Sequence, residues 1–138
     1  MKRLIVNADD FGLTPGVNEG VITGHTGGII TSASLMVRGP AAAAAARLSA
    51  THRRLSVGLH VDLGEWIYRN DCWAPLYEVV DPADAGAVAL EVERQLDMFR
   101  ELMGREPTHL DSHQHMHHDE PLRSVMRAQA EKLGVPLR

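Results

Sequence analysis

Apolar residues along the chain fall in short runs that alternate with longer amphipathic stretches. Residues 3–7 (Arg-Leu-Ile-Val-Asn) form a brief run with β-branched members and polar ends, which reads as a buried strand that Asp9-Asp10-Phe11-Gly12 then breaks. Thr14-Pro15 supplies a helix start, with Thr as N-cap and Pro at the first helical position, and Val17, Val21 and Ile22 give that helix an apolar stripe before Gly24. The unit then repeats. Residues 29–37 read as a second strand, and Pro40 opens an alanine-rich helix to about Ser49, a composition of the highest helix propensity. Residues 55–60 form a third strand ending at His60. Residues 64–82 show no period and hold every Trp and Tyr of the chain, so a long irregular loop of functional use is expected there. Val88, Val92, Leu96 and Phe99 stand at helical spacing between Asp84 and Met103, with Gly104 as the stop. Thr108–Asp111 reads as a fourth, short strand, residues 121–133 as a helix ended by Gly134, and Val135-Pro136-Leu137 as the start of another strand.

Strands and helices in alternation with short connections predict an α/β fold, a parallel sheet joined by right-handed crossovers. About four units are half of an eight-unit barrel, so the expectation is one domain over residues 1–138 built as an incomplete (β/α) barrel. Composition agrees with a globular domain: 44% of residues are hydrophobic and the net charge is -4. Basic pairs such as Arg53-Arg54 are too isolated to form a stripe, which argues against nucleic acid as a partner. One cysteine, Cys72, precludes an intrachain disulfide and points to a reducing cytoplasm, and without a nearby base it reads as inert. The first apolar run is cut short by Asn7, below the roughly 7–15 residues of a signal peptide, and no stretch nears the roughly 20 that span a bilayer, so no membrane is expected.

Histidine changes the picture. His109, His113, His115, His117 and His118 crowd into ten residues, against three others in the chain. Parallel α/β folds collect reactive groups at the carboxyl ends of their strands. Here the first strand leads to Asp9 and Asp10, the third to His60, and the fourth to Asp111, His113, His115 and His117. The fold would bring these ends together around a divalent cation. Period-two spacing would set His113, His115 and His117 on one face, whereas a helical turn would join His113 to His117 and send His115 elsewhere. His113 serves under either geometry. Ser112 lacks the glycine elbow of a serine nucleophile.

Three segments carry a family resemblance: Val-Asn-Ala-Asp-Asp-Phe-Gly (6–12), Gly-Leu-His (58–60) and Pro-Thr-His-Leu-Asp-Ser-His-Gln-His-Met-His (107–117). Together, in this order, they resemble the YdjC-like carbohydrate deacetylases, the group that contains chitooligosaccharide deacetylase. The resemblance implies a barrel-like fold, one divalent metal held by Asp10, His60 and His113, and Asp9 as catalytic base. It also implies hydrolysis of the N-acetyl group of N-acetylglucosamine-containing sugars, with Asp111, His115 and His117 as further candidates for substrate or supporting contacts.

Two imidazoles and a carboxylate suit zinc by ligand softness, while the resemblance also admits magnesium. Members of the family are usually longer. A truncated barrel leaves sheet edges open, and open edges pair, so a homo-oligomer, most simply a dimer, is expected. The competing readings are another metal-dependent amidohydrolase or phosphoesterase, and an inactive relative that still binds metal or sugar.

Overall fold

The computed structural model of the chain describes residues 4–138. Its elements run β1 (Asn7–Phe11), α1 (Pro15–Thr26), β2 (Ser32–Leu35), α2 (Ala42–Thr51), β3 (Ser56–Val61), β4 (Gly64–Arg69), β5 (Cys72–Glu78), α3 (Ala85–Met103), β6 (Leu110–Ser112) and α4 (Leu122–Leu133). The strands β1, β2, β3 and β6 lie parallel, in that order, in one sheet that does not close on itself. Leu137 bridges Leu110 in parallel, so the start of a further strand lies beside β6 as expected.

Capping chemistry explains the helix limits. The Thr14 hydroxyl accepts from the Val17 amide at 3.1 Å with Pro15 behind it, and the Asp84 carboxylate accepts from Gly86 and Ala87. Gly104 and Gly134 close α3 and α4 in the left-handed conformation.

Alternation along the strands sorts the two faces of the sheet. Ala33, Leu35, Val57, Leu59, Val61 and Leu110 pack under the helices with Val88, Val92, Leu96 and Phe99 of α3, all within 4% of complete burial. The intervening positions, Asn7, Asp9, Ser34, His60, His109 and Asp111, face the other way and bond to one another.

Two elements differ from expectation. The first strand starts at Asn7, not at residue 3, and carries Asp9 and Asp10 within it; Arg3 lies outside the described residues. A register break between Ala8 and Phe11, with Asp10 at φ 62°, is what lets two carboxylates sit in a strand. Gly12 then turns at φ 97° against Leu35 and the Met36 carbonyl, where a Cβ would have about 3.0 Å of room.

Residues 64–78 are not an irregular loop but an antiparallel hairpin, β4 against β5, turned by Asn70 and Asp71 at φ 51° and 61°. The turn lacks glycine and β5 contains Pro75, which hid the strands from a periodicity argument. Among the described residues, no helix is long and apolar enough to cross a membrane.

Phe99, fully buried where α3 meets β3, is the largest lever on the core. Phe99→Ala should cost about 3–5 kcal/mol in urea unfolding; a loss under 1 kcal/mol would mean that α3 is not seated as described.

Candidate metal centre

Asp10, His60 and His113 meet at the carboxyl ends of β1, β3 and β6. Asp10 Oδ1 lies 3.3 Å from His60 Nε2 and 3.1 Å from His113 Nδ1, and the three residues each present a ligand atom within 4.8 Å of the others. Bonds of roughly 2.0–2.2 Å meeting at right or tetrahedral angles set neighbouring donors roughly 2.8–3.6 Å apart. The spacings of Asp10 to each histidine are thus those of atoms sharing one cation, and the Asp, His, His set fits a divalent metal.

The two histidines are supported differently. His60 is 2% exposed and pairs through Nδ1 with Asp111 Oδ1 at 2.7 Å, an arrangement that leaves Nε2 turned to Asp10. His113 has no such backing: its Nε2 is buried without a hydrogen-bond partner.

Asp111 is fully buried. Its Oδ2 accepts from the Ser34 hydroxyl at 2.7 Å and from Arg138 Nε at 2.8 Å. Burial opposes its charge, yet the hydrogen bond and charge of His60, with Ser34 and Arg138, hold its carboxyl below the usual range. Hydrogen bonds from His113 and then His60 hold Asp10 well below that range too. Burial pulls His60 down, but Asp10 and Asp111 outweigh it and raise its pKa to about 9.

Asp9 sits beside this group rather than in it. Its Oδ1 accepts from Asn7 Nδ2 at 2.8 Å and from Arg138 Nη2 at 2.5 Å. A second possible set, Asp9, His60 and Asp111, overlaps the first. It is the poorer cation site, because the Arg138 guanidinium already joins Asp9 to Asp111 and His60 Nδ1 is spent on Asp111.

The remaining histidines separate from the cluster. Residues 113–118 form a kinked 3₁₀ turn, with Gln114 and His115 at φ 52° and 55°. His117 is buried and bonded through Nδ1 to Ser112 Oγ at 2.7 Å, while His115 is exposed and stacks on His118. Neither the strand nor the helical alternative describes this turn; His115 and His117 belong to neither ligand group.

Sequence reasoning missed Arg138, Ser34, Asn7 and His109. A serine in a buried strand carries no signal by itself, and Arg138 gains meaning only when Leu137 pairs with β6.

Side-chain amides fix the hairpin beside the cluster. Gln114 donates to the Trp66 carbonyl and accepts from the Trp66 amide, both at 2.9 Å, and Gln95 does the same for Asp62 at 2.6 and 2.9 Å. The Tyr77 hydroxyl donates to Asp62 at 3.0 Å, and burial, then Asp62, pushes its pKa up. Tyr68 and Trp73, opposite each other on the hairpin and exposed, meet edge to face at 5.7 Å.

The YdjC-like protein family model matches residues 3–138. The chain belongs to that family. A chitooligosaccharide deacetylase of Serratia marcescens is 37% identical over 161 residues, with 99% of this chain and 59% of that protein aligned. A carbohydrate deacetylase of Geobacillus stearothermophilus is also 37% identical, with the same coverage. This YdjC-like chain therefore spans about 60% of the length of the curated bacterial relatives it matches. Its fold matches a crystal structure from Enterococcus faecalis V583, provisionally called a cellobiose-phosphate cleavage protein, at TM-score 0.79 and 29% identity, over 97% of this chain and 57% of the other.

Because folding raises the His60 pKa from 6.5 to about 9, its contribution to stability is complete below pH 6.5 and is lost as the pH climbs through about 9. Asp10 acts in the opposite sense, contributing above pH 3.8 and losing effect in strong acid. Thermal melts in chelator should fall between pH 6.5 and 9, and His60→Gln should flatten that fall. An unmodified protein with a level melting temperature over that interval would show His60 uncharged in the fold.

Proposed function

We propose that this chain carries the site of a metal-dependent hydrolase that removes N-acetyl groups from N-acetylglucosamine-containing oligosaccharides. The reading is carried by the convergence of Asp10, His60 and His113 with Asp9 alongside, in a chain whose relatives are named chitooligosaccharide and carbohydrate deacetylases. Asp10, His60 and His113 hold the ion, zinc by ligand softness with magnesium as the second candidate. When bound, such an ion supplies Lewis acidity to the acyl carbonyl and eases the deprotonation of water.

The chain's own groups do the rest. Asp9 is the proton acceptor: Asn7 and Arg138 hold Oδ1, and Oδ2 has no hydrogen-bond partner among the described residues. It takes the proton as water attacks the acetyl carbon and returns it to the nitrogen as the carbon–nitrogen bond breaks, which releases acetate and the free amine. Asp111 keeps the His60 proton on Nδ1 and so directs Nε2 to the ion. Neither His115 nor His117 joins the ligand group: His115 is exposed and His117 is bonded to Ser112. The exposed rings of Tyr68 and Trp73 offer stacking area to a sugar. Arg138 is engaged by two carboxylates, which weighs against a phosphoester as substrate.

Zinc-loaded protein should release acetate from N,N′-diacetylchitobiose, and chelation should stop it. Asp9→Asn should lower kcat about 10²–10⁴-fold while metal stays bound. Phosphate release from a generic phosphoester in place of acetate, or acetate release indifferent to Asp9→Asn, would overturn the reading. Metal and sugar binding without turnover would leave the inactive relative.

Association belongs to the same reading. β1, which carries both aspartates, is an edge strand, and Leu4 and Ile5 beside it are 80% and 75% exposed. Light scattering at micromolar concentration should give a homo-oligomer, most simply a dimer; a monomer would remove it.

A further inference from the structure

Behind Asp111 lies a buried histidine that the mechanism does not use. His109 is 8% exposed, and its Nε2 lies 3.0 Å from Ser34 Oγ. Elimination assigns every proton in this region. An ionised Asp111 only accepts, so the Ser34 hydroxyl spends its one proton on Oδ2 at 2.7 Å. Asn7 Nδ2, at 2.8 Å, donates to one lone pair of that hydroxyl, and His109 Nε2 must donate to the other. Burial disfavours the charged form of this ring, so its Nδ1 accepts, and Thr108 Oγ1 stands 3.0 Å away, itself accepting from Ser56 Oγ at 2.9 Å. The ring is a neutral Nε2–H tautomer with both nitrogens engaged.

The backbone reserves room for this ring. A Cβ at Gly58 would stand 2.5 Å from three atoms of the His109 imidazole, so only glycine lets the ring lie against β3, two residues before His60.

We propose that His109 is a positioning residue for His60, acting through Ser34 and Asp111. With both lone pairs of Ser34 occupied, its hydroxyl cannot turn from Asp111; Asp111 then stays on His60 Nδ1, so that Nε2 is the nitrogen from which a metal would displace the proton. The inference rests on the proposal that His60 binds the metal. Its physical core, the directed chain from His109 to His60, can be read without metal.

Two measurements test it. Imidazole nitrogen NMR of the metal-free protein should find His109 protonated on Nε2, and the His60 Nδ1 signal should shift in His109→Leu and in Ser34→Ala. Zinc affinity, by competition with a chromophoric chelator, should weaken about threefold to tenfold in His109→Leu, less than the roughly 10–100-fold lost with a partner that bonds the ligand directly. It should return to within about twofold in His109→Gln, whose amide can donate from the Nε2 position. Adding His109→Leu to Ser34→Ala should cost nothing further, since both act through one path. A folded His109→Leu protein with unchanged zinc affinity and His60 signals overturns the proposal, as do additive losses in the double variant. An Nδ1–H tautomer of His109 in the unmodified protein overturns it with no variant needed. Zinc that fails to bind the unmodified protein, with the His60 shift still present, sinks the metal reading and leaves the positioning chain standing.

Discussion

The imidazole of His60, buried between two carboxylates, is the contact on which the site depends. Sheet pairing itself produces one half of it: His60 and Asp111 are register partners across β3 and β6, so their side chains emerge side by side on one face. A slip of one residue would send Asp111 into the helix-packed core and leave His60 Nδ1 with no acceptor. The apolar face enforces that register, because Leu59 and Leu110 must stay beneath the helices. Core packing and the chemistry of the site are therefore one constraint, read on opposite faces of the same strands.

The other half comes from a local irregularity. Consecutive strand residues point to opposite faces, yet Asp9 and Asp10 both join the polar side. The bulge in β1 and the left-handed Asp10 resolve this. Aspartate tolerates that conformation better than most residues, and edge strands accept bulges readily. Gln114 and His115 use the same left-handed region, turning the chain so that Gln114 reaches β4 while His113 stays on Asp10. Of the non-glycine residues with left-handed backbone among those described, Asp10, Gln114 and His115 lie at the charged cluster, where geometry serves a site, and Asn70 and Asp71 turn the hairpin.

Away from the cluster, the polar face is supported by satisfied pairs. Ser34 serves Asp111, Asn7 and His109 at once, and Gln95 binds the Asp62 backbone as a neighbouring strand would. Such contacts add modestly to net stability, but an unmet partner in a buried setting costs more than the bond returns, so the network discriminates among side-chain arrangements. The hairpin of β4 and β5 is tied at Asp62 and Trp66, the latter by Gln114, the neighbour of His113.

Repeated strand and helix signals, with caps at Thr14, Asp84, Gly104 and Gly134, made the α/β architecture legible from residue order, because each depends on neighbours within a few positions. Asp10, His60 and His113 were legible for a related reason: each follows or ends a strand, and a parallel sheet brings such ends together. The hairpin and the true start of β1 were not, since Pro75, a turn without glycine and two carboxylates in a strand all contradict local preference and are tolerated through pairing. Nor could sequence place His115 and His117, whose positions are set by a kinked turn held at Ser112 and Trp66. Arg138, Ser34 and His109 became part of the site only through contacts spanning 27 to 129 residues. Partners that distant are chosen by the register of the sheet, and no local pattern of residues encodes them.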